Sequence, residues 1–194
     1  MGNNSVLAAV SQQLQGTGKG YVKFPAGTHL VQLAALDIKT EWREGKPVEF
    51  RWDKNDQSSV VPGFAVDARF SILPTEPGGQ PSKPMSIKNL VLPCEFPVPV
   101  SEINAALDSY VKGQSEPLPG GYWLFRGARE ELNSLLNVAL GLDPNSMVED
   151  PQAYFDAVQQ RIADGDAPVF QVTVKRTASG NYENVDVSFS LAVE

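Results

Sequence analysis

Cysteine, histidine and long apolar runs are what this chain has least of. A single cysteine, Cys94, among 194 residues rules out an internal disulfide framework and suits a reducing compartment. The lone His29 leaves too few imidazoles for a histidine metal cluster or a charge-relay enzyme. No stretch approaches the roughly 20 apolar residues that a membrane span requires. The first residues, Met1 to Leu7, lack the basic and apolar regions of a secretory signal, so the expected location is the cytoplasm. Asp53, Asp56 and Asp67 do not have the spacing of a calcium loop. The run Gly16-Thr17-Gly18-Lys19-Gly20 lacks the Lys-Ser/Thr ending of a phosphate loop and reads as a flexible linker. No nucleophile, base and orienting acid can be assembled from the chain. Neither an enzyme nor a cofactor is expected.

What is present is ordinary globular material with an uneven charge. Hydrophobic residues make up 42% and charged residues 20%, too apolar for global disorder and enough for one sizeable core. The formal net charge of −7 argues on its face against a polyanionic partner. Residues 1–54 nevertheless hold seven Lys and Arg against five acids, and residues 111–168 hold nine acids against four bases. A local basic groove can bind a polyanion on a protein whose total charge is negative.

Strand signals are clearest at the C-terminal end. Phe170, Val172 and Val174 alternate with Gln171, Thr173 and Lys175, and Val185, Val187, Phe189 and Leu191 alternate with Asp186, Ser188 and Ser190. Ser179-Gly180-Asn181 between them supplies the positive φ angles of a hairpin turn. Earlier strands are expected over 27–42, 47–53 and 63–73, with Gly45-Lys46-Pro47 as a turn. In the first of these, Val31 and Leu33 fall on one face and Leu36 and Ile38 on the other, both largely apolar. Met85 to Leu92 reads as a short extended segment, and Pro93 to Pro99 is too rich in proline to lie inside a sheet.

Helical spacing appears between the strands. A short helix is expected after Asn4 or Ser5, with Leu7, Val10 and Leu14 on one face. Others are expected over 101–112, 127–140 and 151–164, the last opened by the cap signal Asp150-Pro151. Glu130 and Glu131 then fall at the start of the long helix, where the dipole favours them. The order of strands, helices and a closing hairpin indicates α+β. It fits a five-stranded antiparallel barrel of the oligonucleotide/oligosaccharide-binding type, the OB-fold, elaborated with helices. One domain is expected over 1–194, with its β core in 21–95 and 168–192 and a helical insertion at 100–166.

Three stretches resemble phage-encoded single-stranded DNA-binding proteins. They are Phe24-Pro25-Ala26-Gly27-Thr28-His29-Leu30, the segment from Tyr122 to Leu136, and the ending from Val172 to Val185. The resemblance touches the two ends of the chain and leaves 74–120 uncovered. It implies a non-sequence-specific binder of single-stranded DNA acting in phage replication or recombination, in the host cytoplasm, with replication or recombination proteins as partners. Many such proteins end in an acidic tail that recruits those partners, whereas this sequence ends Phe189-Ser190-Leu191-Ala192-Val193-Glu194. A homo-oligomer is compatible with the pattern. A second reading stays open, a phage structural or interaction protein whose β core binds another protein and no nucleic acid.

Binding a single strand takes aromatic faces for bases and cations for phosphates on one surface. The candidates by that criterion are Lys39, Trp42, Arg43, Arg51, Trp52, Lys54, Arg69, Lys175, Arg176 and Tyr182. Trp42 and Trp52 lead, because charged neighbours flank them and one turn separates them. Arg69-Phe70 and Trp123-Leu124-Phe125-Arg126 repeat the aromatic-basic pairing, but Phe50, Phe70 and Phe125 fit core positions. His29 reads as a core or rim histidine, and Cys94 as a small packed hydrophobe.

Overall fold

β1 (Gly27–Lys39) starts at a glycine with φ 115°, a conformation open to glycine and strained for other residues, and runs through the middle of the sheet. It pairs antiparallel with β3 (Val60–Ile72) on one side and β5 (Val169–Ser179) on the other. β3 also pairs with β4 (Met85–Pro93) and, through Val60–Pro62, with the short β2 (Glu49–Arg51). β6 (Tyr182–Leu191) forms a hairpin with β5. The computed structural model describes residues 23–42, 44–179 and 182–192; the helix expected after Asn4 or Ser5 and the turn at Gly180-Asn181 lie outside them. Among the described residues the fold is α+β, one six-stranded antiparallel sheet with three helices, α1 (Val100–Ser109), α2 (Gly120–Ala139) and α3 (Pro151–Ala163).

The strand order defines a Greek key. β1, β3 and β4 lie side by side, and β5 returns through the helical connection to lie against β1. One edge is formed by β4 and, farther along β3, the short β2, the other by β6, and no pairing joins β4 to β6 among the described residues. The sheet is therefore open, with six strands where an OB-like barrel of five was expected. The additional strand is β4, in the segment read only as extended, and it is held by an antiparallel ladder to β3 whose register shifts between Asp67 and Arg69.

One irregularity explains how β1 fills the core. The register shifts between Leu33 and Ala35. Leu33 opposes Phe70 and Leu36 opposes Ala68, two positions on the same face of β3. Strict alternation put Leu33 and Leu36 on opposite faces; the bulge turns Val31, Leu33 and Leu36 all into the core, each at most 1% exposed. Phe70, Phe170 and Phe189 meet there, with ring centroids 6.0–6.2 Å apart.

α2 fills the gap between the two edges. Its buried positions Gly121, Phe125, Leu135, Leu136 and Ala139 follow the helical period, with Ala128 and Leu132 packed behind them. The helix begins at Gly120, seven residues ahead of the expected start at 127, because Gly121 rests on backbone. Its amide donates to the Trp52 carbonyl at 2.8 Å, and a Cβ there would come within 2.5 Å of the Trp52 backbone. At the other end Gly141 takes φ 77°, and the amides of Gly141 and Leu142 return to the carbonyls of Val138 and Asn137. α3 starts as expected, with the Asp150 carboxylate accepting from the amides of Gln152 and Ala153.

Candidate nucleic-acid interface

The outward face of β1 and β3 carries a ladder of charges that neutralise one another. Asp37 and Asp67 are directly opposed in the register. Lys39 reaches Asp67, and Arg69 reaches Asp37. Asp67 also accepts from the Ser86 hydroxyl of β4. Burial alone would raise the Asp67 pKa; the hydrogen bonds from Lys39 and Ser86 outweigh it and hold the carboxyl below its ordinary range. Lys39 and Arg69, two of the expected phosphate ligands, are thus already paired on the sheet.

Arg176 is structural as well. It donates to Glu183 at 2.8 Å and to the Phe24 carbonyl at 2.9 Å, and its side chain is 16% exposed. Lys23 joins the same carboxylate, and these hydrogen bonds, that of Lys23 foremost, keep the Glu183 pKa low. A guanidinium so placed anchors the segment preceding β1 against the last hairpin.

Trp52 is the largest correction. It is 3% exposed, donates its indole N–H to the Glu95 carbonyl at 3.1 Å, and lies among Phe50, Phe96, Tyr122 and Phe125. Charged neighbours suggested an exposed ring, but Arg51 and Asp53 point to solvent while alternation in β2 turns Phe50 inward and carries Trp52 with it. No base can stack on that indole without opening the core. Trp42 is half-buried in a tight turn closed by its own amide to the Lys46 carbonyl, with Gly45 at φ 70°. It is not among the ring neighbours of Trp52, so the expected tryptophan pair is not formed.

Three of the candidate cations are exposed and take part in no ion pair among the described residues: Arg51, Lys54 and Lys175. Arg51 and Lys54 bracket the start of the loop between β2 and β3. The acids of that loop are engaged locally, Asp53 accepting from the Asn55 amide and Asp56 from Ser58, whose hydrogen bonds hold the Asp56 carboxyl below its usual range. Lys175 sits on the outer face of the last hairpin opposite Asp186. Arg43 lies outside the described residues; the backbone of Tyr182 pairs with Ser179, and its side chain lies outside them too.

Two features were not drawn from the sequence, the exposure of Trp123, noted there only for its pairing with Arg126, and the partner of Glu131. Trp123 is 45% exposed and meets Tyr110 edge-on at 5.5 Å. Extending the inward stripe back from Phe125 to Gly121 would have turned Trp123 outward. Glu131 lies in the interior of α2, where it pairs with Lys88 at 2.6 Å, and not at a helix start. Cys94 is exposed and not packed away, while His29 sits at the rim against Phe24. Among the described residues no three His, Cys, Asp or Glu side chains converge as a metal site, and no helix is long and apolar enough to cross a membrane. Compared with protein families, curated proteins and solved structures, the chain matches none of them.

Proposed function

We propose that this protein binds single-stranded DNA without reading its sequence, on an OB-like partly open barrel, in phage replication or recombination. The observation that carries the reading is where the exposed cations fall in the Greek key. Counting β1, β3 and β4 as the first three barrel strands and β5 and β6 as the last two, residues 40–59, with the short β2 inside them, are the connection after the first strand. The turn between β5 and β6 is the loop between the fourth and fifth. Those loops, with the face of the second and third strands, are where OB-folds bind oligonucleotides. Arg51, at the end of β2, and Lys54 lie in the first of these connections, as does half-buried Trp42, and Lys175 lies on β5, the strand that leads to the second.

The charge ladder narrows the interface to the loops. Lys39 and Arg69 keep their carboxylate partners, so phosphates are met by Arg51, Lys54 and Lys175. Anisotropy of a labelled poly-dT oligonucleotide tests the reading. Binding that weakens as salt rises is expected, and no binding at low salt would remove the function. A second reading, a protein-interaction module, is favoured by one observation: Leu124 on α2 is 65% exposed beside Trp123.

A further inference from the structure

The aromatic surface of the proposed interface has so far only one partly covered ring, Trp42. Trp52, the other ring on the first loop, belongs to the core. A different indole lies at the same end of the fold. α2 begins against the carbonyls of Arg51 and Trp52, with the Gly121 amide on the Trp52 oxygen. Trp123 is two residues further, about 3 Å along the helix axis. Gly121 and Phe125 face inward, which turns Trp123 away from the core, and it is 45% exposed.

Its ring is held in place. Tyr110, just after the end of α1, meets it in a T-shaped contact with centroids 5.5 Å apart and interplanar angle 79°, while the indole stays 45% exposed. Lys112 follows two residues after Tyr110 and is exposed. The charges around this end are disposed for an anion: Arg51, Lys54 and Lys112 face solvent without an ion pair among the described residues. Asp53 and Asp56 are spent on loop amides, and Asp108 is taken by Arg126 at 2.8 Å. Glu49, two residues before Arg51 on the same face of β2, and Glu95 and Glu116 are the exposed acids that remain. The first turn of α2 holds no acid.

We infer that Trp123, braced by Tyr110, is the base-stacking platform of the single-strand site whose phosphate-binding cations are Arg51 and Lys54. This rests on the nucleic-acid reading above. The indole stands on the side of α2 away from Gly121, while Arg51 and Lys54 lie on the connection that Gly121 rests against. A strand crossing the start of the helix therefore meets the aromatic face and the cations that sequence-tolerant binding requires. A rigid, pre-oriented ring also loses little freedom when a base lands on it.

The full-length protein and a labelled poly-dT oligonucleotide provide the test. Trp123→Ala should weaken binding about tenfold, the loss typical of one stacked base, and remove most of the quenching of tryptophan fluorescence by poly-dT. Trp123→Phe, which keeps a smaller face, should restore most of the affinity, with both variants melting close to the parent. Parent-like affinity and quenching in Trp123→Ala would overturn the platform while Arg51→Gln and Lys54→Gln still weakened binding. Trp123→Ala that alters self-association and leaves poly-dT affinity intact would overturn it in favour of a protein-docking role. Absence of poly-dT binding by the parent itself would remove the underlying function, a result distinct from either.

Discussion

Lys88 of β4 lies 2.6 Å from the carboxylate of Glu131 on α2. The same ammonium donates to the Val185 carbonyl of β6 at 3.2 Å. One side chain therefore ties the two edge strands and the helix between them, at the place where the sheet fails to close. A shallow recess lined by Val66, Phe70, Leu90, Leu135 and Phe189 lies at the same place. The pair stands where a row of strand hydrogen bonds would otherwise run.

Burial pushes the Glu131 carboxyl above its ordinary range, and Lys88 offsets only part of that effect. An acid raised in the folded state holds a proton that the unfolded chain has released. Its contribution is full below the ordinary glutamate value and is lost as pH rises toward the folded one. Glu131→Gln should therefore gain stability relative to the parent as pH rises from about 4 to 7. Lys88→Met leaves both the carboxylate and the Val185 carbonyl without their partner, and should cost about 2 kcal/mol at neutral pH, or roughly 4–8 °C in Tm. Thermal melts of the two variants across that range check both signs. A Glu131→Gln melting curve parallel to the parent's at every pH would refute the assignment.

Two glycines in one helix should respond in opposite directions. Gly121→Ala drives a Cβ to within 2.5 Å of the Trp52 backbone and 2.8 Å of the Arg51 carbonyl. Backbone cannot step aside as a side-chain tip does, so the start of α2 must shift and stability must fall. Gly127→Ala meets nothing within 4 Å in the helix interior and should stabilise by about 1 kcal/mol through helix propensity. Urea melts of the pair decide, and equal effects would place the start of α2 elsewhere.

Truncating Trp52 should cost about 3–5 kcal/mol of folding stability, as expected for a buried aromatic that also loses a hydrogen bond. Trp52→Phe should recover much of this, because the ring cluster with Phe50, Tyr122 and Phe125 persists while only the Glu95 carbonyl is left unmatched. A small loss on Trp52→Ala, with oligonucleotide binding reduced, would return the residue to the interface.

What the sequence made legible follows from how local each signal is. The last hairpin alternates over both strands, and Asp150-Pro151 caps α3 with its own side chain, so both were readable from neighbours alone. The bulge in β1 was not, because nothing local to Ala34 marks it; the register is set by β3 across the sheet. The start of α2 was hidden because Pro119-Gly120-Gly121 reads as loop until the Trp52 backbone is seen against Gly121. The interface divided on the same line. Exposure of Arg51, Lys54 and Lys175 follows from strand and loop patterning, whereas the capture of Lys39 and Arg69 depends on a register that opposes Asp37 to Asp67. The burial of Trp52 depends on a helix arriving from seventy residues away in the chain.

That division predicts an unequal salt response among the cations. Each phosphate contact adds about −0.7 to the slope of log affinity against log salt for a single strand. Contacts through Arg51, Lys54 and Lys175 give a slope of about −2, and all of the cations in the original set would give a much steeper one. Replacing both Arg51 and Lys54 with Gln should flatten the slope by about 1.4 and weaken binding most at low salt. Lys39→Gln removes the partner of Asp67, whose low pKa depends on that contact after burial has opposed it. An acid lowered in the folded state contributes stability above its ordinary value, and this is lost as pH falls through the folded one. Lys39→Gln should therefore reduce stability at neutral pH while leaving the salt slope of poly-dT binding unchanged. Anisotropy titrations at four or more salt concentrations separate the two groups. A slope that flattens equally in Lys39→Gln and in the Arg51, Lys54 variant would mean that the ladder opens on binding, and the interface would then extend onto the sheet.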